Sequence, residues 1–155
     1  MSETEAAKRE AVKLISRAET FRAAVERKLK RKGFADESVR EALDELCRQK
    51  VLDDHRFASL WIKARAHRLE GRKRLEAELY SRGVDEACAT RALDEHFASV
   101  DEGQLCLKAW EKVFSQKQDA LKTKTALAYK GFSVQTILKA QKAFLSQHNT
   151  QDEPQ

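Results

Sequence analysis

Residues 53–56 read Asp-Asp-His-Arg, placing two carboxylates, an imidazole and a guanidinium side by side. Such a set could ligate a metal or pass protons in general acid–base chemistry. A metal site, however, needs ligands that converge, and catalytic zinc usually takes two histidines from one helix face. The other histidines, His67, His96 and His148, make no HExxH-like pair with His55. No phosphate-binding GxxxxGK[ST], nucleophile-elbow GxSxG or dinucleotide GxGxxG is present. A metal-dependent hydrolase built on Asp53, Asp54 and His55 is therefore the weakest reading. No catalytic residue, metal or cofactor is expected.

The same stretch has a full explanation as the start of a helix. Asp53 can act as N-cap, accepting from free amides of the first turn. Asp54 adds negative charge at the positive helix end. Leu52 before the cap and Phe57 after it form a hydrophobic staple. Phe57, Leu60, Trp61 and Ala64 then follow as a core stripe. Only His55 and Arg56 are left without a folding role.

The elements around this stretch read as helical throughout. The chain has 155 residues, 35% charged and 41% apolar, with five glycines and one proline, Pro154. Apolar residues recur at helical spacing: Val39, Ala42, Leu43, Leu46 and Cys47; Ala89, Ala92, Leu93, His96 and Phe97; Val134, Ile137, Leu138, Gln141, Phe144 and Leu145. No strand pattern of useful length appears, and about nine short helices are expected. The longest apolar runs are far too short to span a membrane, and Met1–Glu10 lacks a signal-peptide core. A cytoplasmic location is expected. Cys47, Cys88 and Cys106 are too widely spaced for a CxxC pair, which predicts buried free thiols.

Three segments align without a gap on their glycines: "KLKRKGFADESVREAL" (28–43), "ELYSRGVDEACATRAL" (78–93) and "ALAYKGFSVQTILKAQ" (126–141). Leucine stands four residues before each glycine (Leu29, Leu79, Leu127). An apolar residue follows it (Phe34, Val84, Phe132), and alanine stands nine after it (Ala42, Ala92, Ala140). This is the form of a left-handed helix C-cap, so Gly33, Gly83 and Gly131 are read as structural caps alongside Asp53. The fold expected is all-α: tandem three-helix repeats at 1–50, 51–98 and 99–147, with a disordered polar tail at 148–155. Repeats this small bury a core by stacking, which predicts an elongated array, curved or straight.

Charge is periodic as well. The middle helix of each repeat is basic, and in the first two the next helix is acidic. Bases near helix C-termini and acids at N-termini complement the helix dipole, which accounts for Lys30–Lys32 and for Asp36 and Glu37. It does not account for Arg72-Lys73-Arg74, which opens a helix. Arg56, Lys63, Arg65, Arg68, Arg72, Lys73, Arg74, Arg27, Lys28, Arg31, Lys122 and Lys124 are the candidate contacts for an anionic partner. If they serve only that purpose, reversing Arg72 and Arg74 should leave stability near that of the parent.

"KGF" before an acidic helix, "LDDHRFA" (52–58), "GRKRLEAEL" (71–79) and "RGVDE" (82–86), in that order, resemble the bacterial RecX regulatory proteins. The resemblance covers about 12–147. Two departures stand out. Phe21 and Ala24 occupy the positions of a Ser-x-x-Glu box in the family, and Ala35 intervenes after "GF", so that Asp36 must cap. In the third repeat Ser133 takes the cap position. The resemblance implies tandem three-helix repeats and a non-enzymatic protein that binds the RecA recombinase and its single-stranded DNA filament. It implies inhibition of filament growth, ATP hydrolysis, strand exchange and coprotease activity. A monomer away from membranes is expected, with direct contact to single- or double-stranded DNA open. The alternative from the residues themselves is a nucleic-acid-binding helical module with no recombinase partner.

Overall fold

The computed structural model describes residues 2–18 and 20–149. Among them the chain forms nine α-helices and no strand. The first repeat holds α1 (Glu3–Arg17), α2 (Arg22–Arg31) and α3 (Asp36–Arg48). The second holds α4 (Asp54–Ala64), a 3-10 turn (Ala66–Arg68), α5 (Arg72–Ser81) and α6 (Glu86–Ser99). The third holds α7 (Glu102–Lys117), α8 (Ala120–Tyr129) and α9 (Val134–Asn149). The expected tail is corrected at its start, because His148 and Asn149 continue α9; the rest of it, 150–155, lies outside the described residues.

Compactness divides the chain differently. One unit comprises the chain up to Trp61 with Leu79–Ala92, and the other Ile62–Glu78 with the chain from Leu93 onward. Each helix of the second repeat is thus shared between the two units. In the first unit α3 packs chiefly on α1, where Ala7 and Ala11 are fully buried and let the helices approach closely. Val25 and Leu29 of α2 and Val39, Ala42, Leu43 and Leu46 of α3 complete that core. In the second unit α7 packs chiefly on α9, and α8 contacts both. Its core holds Cys106, Ala109, Trp110, Leu127, Phe132, Ile137, Ala140 and Phe144. The Phe114 and Phe144 rings meet edge to face at 5.2 Å, a favoured aromatic geometry.

Two expected stripes are corrected. On α4 the buried residues are Phe57, Ala58 and Ile62; Trp61 is half-buried, Leu60 is 43% exposed and Ala64 is exposed. Apolar side chains at 57, 58, 60, 61, 62 and 64 surround this helix too densely for periodicity alone to select a face. On α9 the stripe is narrower than expected: Ile137, Ala140 and Phe144 are buried, whereas Val134, Leu138 and Leu145 are exposed.

The three glycine caps form as expected, with φ of +97° at Gly33, +82° at Gly83 and +94° at Gly131. In each, the amide after the glycine donates to the carbonyl of the leucine four before it: Phe34 to Leu29 at 3.3 Å, Val84 to Leu79 at 3.1 Å and Phe132 to Leu127 at 3.3 Å. This is the Schellman arrangement, whose apolar contact explains the repeated leucine. Lys50 closes α3 the same way at φ +58°, with Val51 N donating to Leu46 O at 2.9 Å.

Ser133 caps α9 through Thr136 N at 3.2 Å, as expected. The expectation for Asp36 is corrected. Ala35 is the N-cap of α3 and has no side chain to offer, so Glu3 of α1 accepts from the Ala35 amide at 2.7 Å instead. Asp36 is left in the first turn. All three cysteines are free, but only Cys106 is fully buried. Burial pushes the Cys106 thiol up to about 12, with Glu102 adding to it. Burial, with Asp85 beside it, pushes Cys88 up to about 11.

Candidate partner-binding groove

The Asp53–Arg56 stretch resolves into caps. Asp53 accepts from the Arg56 amide at 3.1 Å, with Leu52 and Phe57 buried on either side. Asp54 has a different role from the one expected. Its Oδ1 accepts from the amide of Arg22 at 2.9 Å, capping α2, whose own N-cap is Phe21. Burial raises the Asp54 carboxyl above the usual carboxylate range against this hydrogen bond. Arg56 is exposed, its guanidinium 5.2 Å from the Phe57 ring centroid. Among the described residues no group of His, Cys, Asp or Glu is arranged to hold a metal ion.

The basic start of α5 follows the same plan. The Arg72 amide donates to Glu102 Oε1 at 3.0 Å, and its guanidinium donates to Asp94 at 2.6 Å. In the first repeat Arg22 uses Asp54 for its amide and Asp44 for its guanidinium, also at 2.6 Å. Each arginine thus ties the second helix of its repeat to an acid on the third helix and to the first turn of the next repeat. The two acids offset the unfavourable dipole that a cation meets at a helix start. In the third repeat Ala120 stands at this position, and Asp119 caps α8 with its own side chain through Lys122 N at 2.9 Å.

Arg65 is turned inward, its side chain only 11% exposed, and pairs in two-pronged fashion with buried Glu70, both contacts at 2.9 Å. Arg74 lies 3.6 Å from Glu70 and 3.3 Å from Glu78. Arg65, Arg72 and Arg74 therefore serve the fold. These ion pairs argue against the expectation that reversing Arg72 and Arg74 would spare stability, because a glutamate at 74 would face two carboxylates, one of them buried.

Within the second unit lies a groove of about 880 Å³. Arg68 and Arg74 line one wall, Lys112 and Lys117 of α7 another, and Lys122 of α8 with Lys130 just past its end the third; Glu70 is the only acid among the lining residues. Lys130 is anchored there. Its Nζ donates to Arg68 O at 2.8 Å, and its carbonyl accepts from Gly71 N at 2.7 Å. Burial holds the Lys130 ammonium below the usual lysine range; Glu70 opposes this and Lys112 adds to it. The backbones touch at this point: a Cβ on Gly71 would come within 2.6 Å of Gly131 O, and one on Gly131 within 2.3 Å of Arg74 N.

The family model for the first three-helix domain of RecX matches residues 7–46, and that for the second matches 53–93. The regulatory protein RecX of Pseudomonas entomophila is 33% identical over 138 residues, covering 85% of this chain and 87% of that protein. The chain belongs to the RecX family. The RecX of Chlorobaculum tepidum is 32% identical over 149 residues, covering 92% of this chain and 91% of that protein. That of Treponema pallidum is 40% identical over 104 residues, an alignment spanning 63% of its length. A crystal structure of RecX from Lactobacillus salivarius shares the fold, with a TM-score of 0.79 at 21% identity over 91% of this chain. These RecX relatives are named as regulatory proteins, and no described helix here is long and apolar enough to cross a membrane.

Of the candidate contacts, Arg68, Arg74 and Lys122 line the groove, whereas Lys124 does not. Lys63 and Lys73 occupy exposed positions. Arg27, Lys28 and Arg31 stand exposed on α2, in the first unit. Lys112, Leu121 and Tyr129 escaped the sequence reading. The available signal was the eight-residue spacing of Leu121 and Tyr129, which puts both on one side of α8, away from its buried Thr123 and Leu127.

Proposed function

We propose that this chain binds the RecA recombinase assembled on single-stranded DNA and restrains filament growth, ATP hydrolysis and strand exchange, without catalysing a reaction itself. Membership in a family of regulatory proteins, over most of the chain, carries this reading. The groove supports it: it concentrates positive charge where filaments of nucleic acid and protein present negative charge. Weak contacts made by successive repeats would add through avidity. The test is the single-strand-dependent ATPase of the cognate recombinase. Added protein should suppress it well below one molecule per recombinase subunit, and an unchanged rate at micromolar excess would refute the reading.

A second reading, direct binding to nucleic acid with no recombinase, draws on the exposed Arg27, Lys28 and Arg31 of α2. It requires DNA affinity that falls steeply with salt. Fluorescence anisotropy of a labelled oligonucleotide across a salt titration measures that directly.

A further inference from the structure

Helix α8 has two faces with different tasks. Thr123 and Leu127 are buried, and the Thr123 hydroxyl is satisfied by Asp119 O at 2.8 Å. Leu121, Thr125 and Tyr129 recur every fourth residue along the groove. Leu121 is 74% exposed and Tyr129 79%. Two turns separate them, about 12 Å along the helix. Two large apolar side chains this exposed on one face form a strip that folding leaves uncovered.

The strip lies among cations that the protein does not neutralise. Lys112 and Lys117 stand on one side, and Lys122 borders the strip on α8 itself. The one lining carboxylate, Glu70, is already engaged by Arg65 and Arg74. An apolar strip with cations along it is complementary to a helix that carries apolar residues at the same spacing and acids on its flanks. A single nucleic-acid strand would use the lysines and could stack a base on Tyr129. Leu121 offers no flat face to a base, so a nucleic acid leaves half the strip unexplained.

We propose that this groove is the docking site for an acidic amphipathic helix of a partner protein. Its apolar face covers Leu121 and Tyr129, and its carboxylates meet Lys112, Lys117 and Lys122. The inference rests on the filament-regulator reading and deepens it, because it assigns the groove to the protein part of the filament and not to its DNA.

The test compares the parent chain with two double variants, Leu121→Ser/Tyr129→Ser and Lys117→Glu/Lys122→Glu. The readouts are the concentration that halves recombinase ATPase on poly(dT), the anisotropy of a labelled dT oligonucleotide, and the thermal midpoint. Exposed positions predict unchanged midpoints for both. Each variant should need about tenfold more protein to inhibit, and the serine variant should bind the oligonucleotide as the parent does. If the parent inhibits and the serine variant inhibits equally well, the docking proposal is overturned while the filament reading stands. If the serine variant loses oligonucleotide affinity by the same factor as inhibition, the occupant is nucleic acid and the proposal is overturned. A parent that does not inhibit removes the filament reading and the proposal with it.

Discussion

At the scale of single residues, one sequence motif meets three different surroundings. Gly33 has positive φ, but a Cβ there would touch nothing within 4 Å, whereas on Gly131 it would collide with the Arg74 backbone. Gly33→Ala should therefore cost only the left-handed backbone penalty, about 1 kcal/mol. Gly131→Ala adds overpacking and should cost about 3 kcal/mol or more. Urea denaturation of both variants checks the contrast. Lys50 holds the same backbone conformation without being glycine. Lys50→Gly should raise stability by about 0.5–1 kcal/mol, the relieved strain exceeding the added freedom of the unfolded chain. His96 provides a pH signature. Burial, and then Lys63, hold its imidazole below the ordinary histidine range. When pH falls below about 6.5, the unfolded chain takes up a proton that folded His96 refuses, so stability declines from pH 7 toward pH 5. Denaturation midpoints measured across that range should show a shallower decline for His96→Phe. The glycines and their leucines were legible in sequence because a Schellman cap is a local device. What each glycine touches was not, since Gly131 and Arg74 meet only in the folded chain.

At the scale of elements, the caps come from two sources. Asp53, Asp85, Asp101, Asp119 and Ser133 each cap their own helix from the side chain just before it. These are the helix starts that sequence reading places well. Helices α2, α3 and α5 borrow a carboxylate from another helix: Asp54, Glu3 and Glu102. The donor and acceptor are about thirty residues apart, so local pattern gives no sign of the pairing. For the same reason Arg72-Lys73-Arg74 looked like a binding patch, and two of its three charges belong to the fold. The Arg65–Glu70 pair should show the asymmetry of buried ions. Glu70→Ala should cost about 2–3 kcal/mol, because it removes the two-pronged partner of Arg65 and leaves Glu78, 3.6 Å from the guanidinium, to hold the charge, whereas Arg65→Met with Glu70→Leu should recover most of that loss. Thermal unfolding of the single and double variants measures the difference. Arg74→Glu should destabilise by at least about 2 kcal/mol and not act as a clean probe of partner binding.

At the scale of the whole molecule, the chain carries a net charge of +5, but its positive charges are not equivalent. Those in the repeat-linking pairs are matched by acids, and those in the groove face one acid that is already engaged. Partner binding should therefore weaken with salt, and Lys117→Glu/Lys122→Glu should flatten that dependence more than removing the same number of paired cations. ATPase inhibition titrated at several salt concentrations reads this out. The repeat pattern and its helices were evident in sequence, while the groove was not, because it draws side chains from three separate stretches of the second unit, 67–74, 112–117 and 121–130. The arginine at the start of each second helix has one more consequence. In the first two repeats it reaches an acid supplied by the repeat that follows, but the third repeat has Ala120 there and Lys142 where Asp94 would correspond. A duplicated copy of residues 53–100 spliced in after residue 100 would find its acceptors waiting, since Asp54 of the copy can replace Glu102. A copy appended after residue 147 would meet no arginine at position 120 to take up its Asp54, and its own Arg72 would keep Asp94 but lack an acid in the position of Glu102.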